Sequence, residues 1–456
     1  MGSITIQALH PDTYELLGSW DTFKFLQIRK ELCKPGYYQL ILDGNDNQFD
    51  NLVLDSVLTF IRTASDGETP YDEFHALHRT KVKAQFSTGL SQYSSFGRGV
   101  LDLLNRRIVA CPAGIPVTGV RDQTGGYIDN MSVSEAMWLL IDKHAGEYAL
   151  ASTGRAADGP IGRTATGGLP TLAYANSPGT LPGAGPLFTG EFAWRNLLVA
   201  LQEMSEASHV LDGTPIEFNM TYSNTISGNL PGKFSFNIHD NGIGLDKTEG
   251  NTDGNVPVIF STEMGNIQDV WASYTRSEEI NRIFALGDGD GAARSYNIVS
   301  DLAKIPTILG GDDDDDTSIF NLIEASRDAV NESTSDELNS FGAMHLWKNT
   351  ATPHATFIPM QFGPYLYGRD YDIGDKITVK HEDFSVDLRI TAVELLYDSD
   401  GVEDIKLEFS DRTGSVSASY YSVNPDETLM SVEGDIELIY KILQDNSIDH
   451  DRRISR

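Results

Sequence analysis

Five consecutive aspartates, Asp312–Asp316, form the densest group of oxygen donors in the chain, and convergent carboxylates are what a Ca²⁺ or Mg²⁺ ion requires. Adjacent residues cannot all turn toward one ion, so the run reads as a solvated loop. Asp43, Asn45 and Asn47 begin like a calcium loop, but Gln48 stands where that loop needs glycine and Leu54 where it needs a bidentate glutamate. Asp288 and Asp290, in GDGDG, lack a third ligand at the required spacing and read as a turn. His75 and His78 (HALH) could share a helical face as metal ligands. No glutamate completes a metalloprotease pattern, however, and surface or packing histidines are expected. Residues 228–235, GNLPGKFS, have three residues between the glycines where a phosphate loop has four, and Phe234 replaces the hydroxyl residue after Lys233.

Nucleophilic chemistry has no visible machinery either. The chain has no Gly-x-Ser-x-Gly elbow, and Cys111 precedes Pro112 without a nearby histidine to activate it. Glycoside hydrolysis needs only two carboxylates, and 66 acids offer many pairs, but their separation is a three-dimensional property. Substrate clefts gather aromatic residues, whereas Trp20, Trp138, Trp194, Trp271 and Trp347 are scattered and read as core anchors. The expectation is a protein that is not an enzyme, with no cofactor and no bound metal.

Composition narrows the class further. At 456 residues the chain has room for several cores. Two cysteines, Cys33 and Cys111, exclude a disulfide scaffold. No run of 18 apolar residues occurs, and the amino end has neither a basic start nor an apolar stretch, so neither a membrane span nor a secretory signal is expected. Sixty-six acidic against 34 basic residues give a net charge of −32, with an isoelectric point near 4.5. That surface opposes a tight grip on nucleic acid phosphates. A dispersed acidic excess with few lysines suits a salt-saturated cytoplasm, where screening removes the repulsion, and predicts a halophilic source.

The elements that position these residues are mostly strands. Residues 365–410 spell a β module: KITVK (376–380) and SVDLRI (385–390) alternate, and Asp398–Gly401 (DSDG) is a hairpin turn between strands at 393–397 and 405–409. Four short antiparallel strands are predicted there. The start of the chain also reads as β, with strands at Tyr38–Leu42 and Leu52–Ile61 and a strand or short helix over Trp20–Arg29 that ends at the breaker Pro35-Gly36. Residues 96–108, FGRGVLDLLNRRI, switch to a short helix or tight turn. Helices are predicted over Ser132–His144, with Ser132 and Glu135 as a capping box, over Ala193–Ser208, within 317–347 around Ile319, Leu322, Ile323 and Ala325, and over Ile436–Leu443. Strands return at Phe234–Ile238 and Val256–Phe260. The Gly, Pro, Ala and Thr-rich stretch Ala151–Gly185 lacks apolar content for a core and reads as a surface loop or arm.

In order along the chain, these pieces resemble the baseplate hub proteins of tailed viruses, including the amino-terminal hub part of siphovirus tail-associated lysins. Trp20, Arg29, Pro35 and Gly36 followed by YQLIL resemble the opening of that family, and Phe96–Arg107 is similar to the turn closing its first barrel. Phe260, Ser261, Gly265, Asn266 and Ile267, then Asn281 and Gly287–Arg294, resemble its central block. Tyr367, Tyr371, Gly374 and Asp375 resemble the start of its last β module.

The resemblance implies an α+β, β-rich, multi-domain protein with two β-barrel-like modules and inserted helical or mixed domains. On that reading residues 1–115 are the first barrel module, and 116–255 an inserted α+β domain carrying the arm 151–185. Residues 256–350 are a central strand block and helical segment with the acidic loop, 351–420 the second barrel module, and 421–456 a helix and tail. It implies a homotrimer whose six barrels form a ring at the tail tip of the virion, assembled in the host cytoplasm. The ring would dock on the distal tail protein, contact the tape measure protein and meet receptor-binding or fibre proteins. Viral DNA would pass through its channel without specific binding, and no stable membrane insertion is implied. No peptidase or muramidase domain is expected after the hub part, and with the acidity the source implied is a virus of haloarchaea. Among structural residues, Gly374 and Asp375 would set the entry to the last barrel, Arg106 and Arg107 bridge modules or subunits, and Asn281 and Arg282 fix the central block. The rival reading is a secreted or surface carbohydrate- or protein-binding module of a halophile.

Overall fold

Alternation of apolar and polar residues shapes the first seven strands: β1 (Ser3–Leu9), β2 (Leu16–Trp20), β3 (Phe25–Glu31), β4 (Tyr37–Asp43), β5 (Val57–Thr63), β6 (Tyr71–Gln85) and β7 (Ser91–Gly99). Ile4, Ile6 and Ala8, Leu26 and Ile28, Tyr38, Leu40 and Leu42, and Leu58 and Phe60 turn to one side and enter a single core. The β3–β4 hairpin turns at Gly36, whose φ of +62° favours glycine and where a Cβ would lie 2.2 Å from the Arg29 carbonyl oxygen. The expected strand over Leu52–Ile61 begins only at Val57. Before it Ser56 donates to the Val53 carbonyl from both N–H and hydroxyl, and Asp55 has φ +65°, so the chain is turning.

The structure, a computed structural model, describes residues 3–410 apart from 12, 64–68, 86–90, 111–116, 119–120, 123–126, 146–171, 175–182, 213–214, 224–232, 276–278, 301–322, 330–334, 350–351, 360–363, 382–383 and 400–402. These residues fall in one unit, Met1–Thr413; a second, Gly414–Arg456, lies outside them, and with it the expected helix at Ile436–Leu443. Most of the expected arm 151–185, the Asp312–Asp316 run, Cys111 and residues 228–232 also lie outside the described residues.

After the short α1 (Asp102–Asn105), the middle of the chain forms two small sheets and two helices. Their elements are β8 (Val117–Thr118), β9 (Arg121–Asp122), β10 (Tyr127–Ser132), α2 (Val133–His144), β11 (Leu172–Tyr174), β12 (Leu187–Glu191), α3 (Leu197–Asp212), β13 (Glu217–Ser223) and β14 (Lys233–His239). The sheets run β12-β10-β9-β8 and β11-β14-β13. Ser132 takes the N-cap position of α2, but its hydroxyl makes no capping bond; the Val133 and Ser134 N–H groups donate instead to the carbonyls of Pro186 and Ala184. The expected capping box gives way to a neighbouring chain segment. Helix α3 starts four residues later than expected, with Asn196 accepting from the Val199 N–H.

The remaining elements are β15 (Asp246–Lys247), β16 (Ile259–Ser261), β17 (Ile267–Thr275), β18 (Arg282–Leu286), β19 (Tyr296–Ser300), β20 (Glu324–Asp328), α4 (Ser335–Lys348), β21 (Thr352–Pro359), β22 (Lys376–His381), β23 (Phe384–Asp398) and β24 (Glu403–Ser410). The helical pattern expected within 317–347 resolves into a strand and a later helix. Ile319 and Leu322 of that pattern lie outside the described residues; residues 324–328 pair parallel to β18, with Arg282 opposite Glu324, and among the described residues of this stretch only α4 is helical. Four strands expected in the last module are three, since Ser385–Tyr397 is one strand bulged between Ile390 and Ala392 with no turn residue to break it.

Both β modules belong to one 14-stranded sheet, ordered β17-β21-β24-β23-β3-β4-β7-β6-β5-β1-β2, with β22 beside β23 and β15 and β16 beside β22. The path is open from β17 to β2, and no closed barrel forms among the described residues. Side-chain amides occupy two of its borders. Gln48 accepts from the Ser19 N–H of β2 at 2.9 Å and Asn51 donates to the Leu17 carbonyl at 3.2 Å; on β16, Asn266 accepts from the Ser261 N–H at 2.7 Å and donates to the Ile259 carbonyl at 2.8 Å. Those borders are satisfied within the chain and offer little to a strand from elsewhere.

Candidate functional site

The first and last β modules meet where β3 pairs antiparallel with β23, Ala392 opposite Glu31 through Asp398 opposite Phe25. One long strand makes this joint, since β23 pairs with β22 up to Arg389 and with β3 beyond the bulge. Period-two alternation after Leu26 and Ile28 points Lys30 inward, and after Leu58 and Phe60 it points Arg62 inward. Two cations therefore enter an apolar core and must be paired there.

They are. Arg62 donates to both carboxylate oxygens of Glu403, at 2.8 and 3.1 Å, and to the Tyr71 hydroxyl at 2.6 Å and the Tyr367 carbonyl at 3.0 Å. Lys30 donates to Glu73 at 2.7 Å, to the Tyr367 hydroxyl at 2.9 Å and to Asp372 at 3.4 Å, while Tyr367 donates to Glu73 at 2.8 Å. Both cations lie over the Tyr367 ring. On the other face of the joint Arg29 makes two bonds of 2.7 Å to Glu408 and one of 2.9 Å to Glu31. Arg62, Glu403, Lys30 and Glu73 carry no motif in the sequence; a cation at the inward position of an alternating strand is the available signal for Lys30 and Arg62.

Burial lowers the pKa of Arg29, Arg62 and Lys30, but bonds and charges from their carboxylate partners outweigh it and hold all three above their usual range. Burial pushes the hydroxyls of Tyr367, Tyr371 and Tyr397 up. None of these groups is poised to exchange a proton near neutrality. The arrangement holds two modules together.

The residues expected to be structural fall into separate places. Gly374, at φ +92°, has its N–H bonded to the Ile390 carbonyl, and a Cβ there would lie 2.3 Å from the Ile243 carbonyl oxygen. Asp375 is buried and accepts from the Leu245 N–H at 2.8 Å, Lys247 at 2.7 Å and the Asp372 N–H at 3.0 Å. Arg106 bonds Asp55 at 2.9 Å and Asp102 at 3.1 Å, both in the first module, and the buried Arg107 accepts from the Leu197 N–H at the start of α3 through its carbonyl. Asn281 accepts from the Ile323 N–H at 2.8 Å and Arg282 bonds Glu324 at 3.2 Å, tying β18 to β20.

The candidate chemistry residues separate as well. His75 and His78 lie on a strand rather than a helix: His75 pairs with Thr59 and Asp72, and His78 is buried against Ser95. Among the described residues no group of three or more His, Cys, Asp or Glu is placed to hold a metal ion. No helix among them is long and apolar enough to cross a membrane. Trp20 and Trp138 are core anchors as expected, but Trp194 is 63% exposed.

A strand-rich chain whose first and last modules share one sheet around a helical insert has the fold of a phage tail protein. It is similar in fold to the 43 kDa tail protein of prophage MuSo2 from Shewanella oneidensis, at 10% identity and TM-score 0.50 over 91% of this chain and 99% of that one. The tail protein from Neisseria meningitidis MC58 (11% identity, 91% and 98% covered, TM-score 0.47) and the prophage tail protein gp18 from Listeria monocytogenes EGD-e (8%, 90% and 95%, 0.44) agree less well in shape. Residues 177–410 match the family described as Siphovirus ReqiPepy6 Gp37-like protein, and the chain belongs to that family. No curated protein matches it.

Proposed function

We propose that this chain is a structural component of a viral tail, acting as a trimeric hub at the tail tip. The observation that carries the reading is the β3–β23 joint, which makes the first and last modules one continuous wall, sealed by the buried Arg62–Glu403 pair and by Lys30, which reaches Tyr367 and Asp372. A wall of that kind suits a ring around a channel, because the modules cannot swing apart as the ring is loaded. Family membership and the tail-protein fold support the tail assignment.

In this role the trimer docks on the distal tail protein, contacts the tape measure protein and surrounds the path by which the genome leaves. Receptor-binding or fibre proteins attach outside it. A net charge of −32 keeps passing DNA from adhering and fits a virus of haloarchaea. Strand addition at β2 and β16 plays no part in closing the ring, since side chains of the same chain occupy those borders.

The test is solution mass by light scattering in about 1 M salt, where the Debye length is about 3 Å and acidic repulsion is screened. A three-fold ring is expected. A monomer at every protein and salt concentration would sink the hub reading and favour a surface binding module.

A further inference from the structure

The chain contains a single Asn-Gly pair, Asn241–Gly242, and it lies in the segment that leaves the inserted sheet, between β14 and β15. The backbone nitrogen after an asparagine can attack that residue's own side-chain amide carbon, and asparagine is thermolabile for this reason. Glycine, with no Cβ, obstructs the ring closure least.

Local structure leaves this pair open to the reaction. Asn241 is exposed, and no hydrogen bond holds its side-chain amide among the described residues. The Gly242 N–H donates to the His239 carbonyl at 3.3 Å, beyond the usual range of about 2.7–3.2 Å, so the turn restrains the attacking nitrogen weakly. Asparagines nearby are held instead: Asn251 donates to the Thr248 carbonyl at 2.7 Å and Asn255 to the Asp246 carbonyl at 2.9 Å. They also precede Thr252 and Val256, whose branched side chains crowd the nitrogen.

The residues just beyond the pair have no slack. Gly242 has φ +79°, and a Cβ there would lie 3.1 Å from Arg389 Nη2 and 3.3 Å from Glu217 Oε2. Ile243 is gripped on both sides, its N–H donating to Glu217 at 2.6 Å and its carbonyl accepting from Arg389. Gly244 then crosses Gly374 so closely that a Cβ would lie 2.2 Å from the Gly374 carbonyl carbon.

We propose that Asn241–Gly242 is a site of self-modification that loosens the fastening of the inserted sheet to the last β module as the protein ages. The Gly242 nitrogen bonds to Cγ of Asn241, the Cγ–Nδ2 bond breaks, and the Gly242 amide proton leaves with that nitrogen as ammonia. Water then opens the cyclic imide. Breaking the new bond leaves an aspartate in the ordinary main chain; breaking the old one leaves an isoaspartate, with the main chain running through the side-chain methylene. The isoaspartate form is one methylene longer just before Ile243, so the Ile243 N–H and carbonyl cannot both keep their places against Glu217 and Arg389.

The test is to age the full chain in warm, mildly alkaline buffer and follow it by peptide mapping and melting temperature. The amide-to-acid mass change is expected in the peptide that holds Asn241 ahead of every other asparagine, with the melting temperature falling as the isoaspartate fraction grows. Asn241→Gln, aged in the same way, should keep both its mass and its melting temperature. Asn241→Asp adds the charge without the extra methylene and should melt close to the parent. An intact Asn241 under conditions that fully convert a free peptide of residues 234–247 would overturn the proposal. So would an isoaspartate form that melts like the parent, or an Asn241→Asp variant that melts as low as the aged chain. None of these outcomes bears on the tail reading.

Discussion

Arg389 on β23 and Glu217 on β13, 172 positions apart, face each other through two hydrogen bonds of 2.6 and 2.7 Å, with the Glu217 side chain wholly out of solvent. The Ile243 N–H donates to the same carboxylate at 2.6 Å, and Arg389 also donates to the Gly374 carbonyl at 2.8 Å. The pair fastens the inserted sheet to the last β module. Removing one partner strands a buried charge, so Arg389→Ala is expected to cost about 3–5 kcal/mol in urea unfolding, whereas Arg389→Met with Glu217→Leu should cost clearly less. A loss below about 1 kcal/mol for Arg389→Ala would contradict this.

Acid should undo the same contact. Burial raises the Glu217 pKa, but bonds from His209 and Arg389 outweigh it and hold the carboxyl at about 2, below its ordinary value of 4.5. A depressed carboxyl stabilises the fold above its unfolded pKa and loses that contribution as pH falls toward its folded one. Stability is therefore expected to drop between pH 4.5 and 2. Glu217→Gln should flatten this part of the melting-temperature profile.

A second window lies higher. Burial pushes His78 down to about 4 from 6.5, and its Nε2 is buried without a hydrogen-bond partner. The unfolded chain gains this proton first on acidification, so stability should fall as pH drops from 6.5 to 4. His78→Gln is expected to reduce the slope in that window alone; an unchanged slope would clear His78 of the effect.

At the β3–β23 joint, Arg62→Ala leaves Glu403 buried beside Tyr397 and is expected to cost about 3–5 kcal/mol. Arg79→Ala removes a half-exposed partner of Asp55 and should cost under about 1 kcal/mol. Equal losses for the two in denaturant titrations would refute the assignment of the joint to desolvated pairs.

Gly374→Ala combines a φ of +92° with a Cβ 2.3 Å from a carbonyl oxygen, so the backbone must shift. A loss of about 1–3 kcal/mol is expected, read as a lower melting temperature, whereas Gly250→Ala, with nothing within 4 Å, should be near neutral.

Local periodicity reached the strands that carry their own pattern. Tyr38–Leu42, Lys376–Lys380 and Phe234–Ile238 are strands, and Val133–His144 is a helix, because alternation and 3.6-residue spacing are properties of a few neighbouring side chains. Where pattern and packing disagreed, packing won: residues 324–328 became a strand paired with β18, and the hydroxyl of Ser132 yielded to the carbonyls of Pro186 and Ala184.

What the sequence by itself determined is the strand-rich composition, the acidic excess and the local strand patterns such as Tyr38–Leu42 and Lys376–Lys380. Which carboxylates meet Lys30 and Arg62 was decided only by tertiary structure. Glu403 lies 341 residues from Arg62, and Glu217 lies 172 from Arg389. A buried ion pair leaves no local trace, because each partner sits in an ordinary strand and the need for pairing arises only when distant strands exclude water together. The same holds for the shared sheet, since β3 and β23 are each an adequate strand and only the fold makes them neighbours.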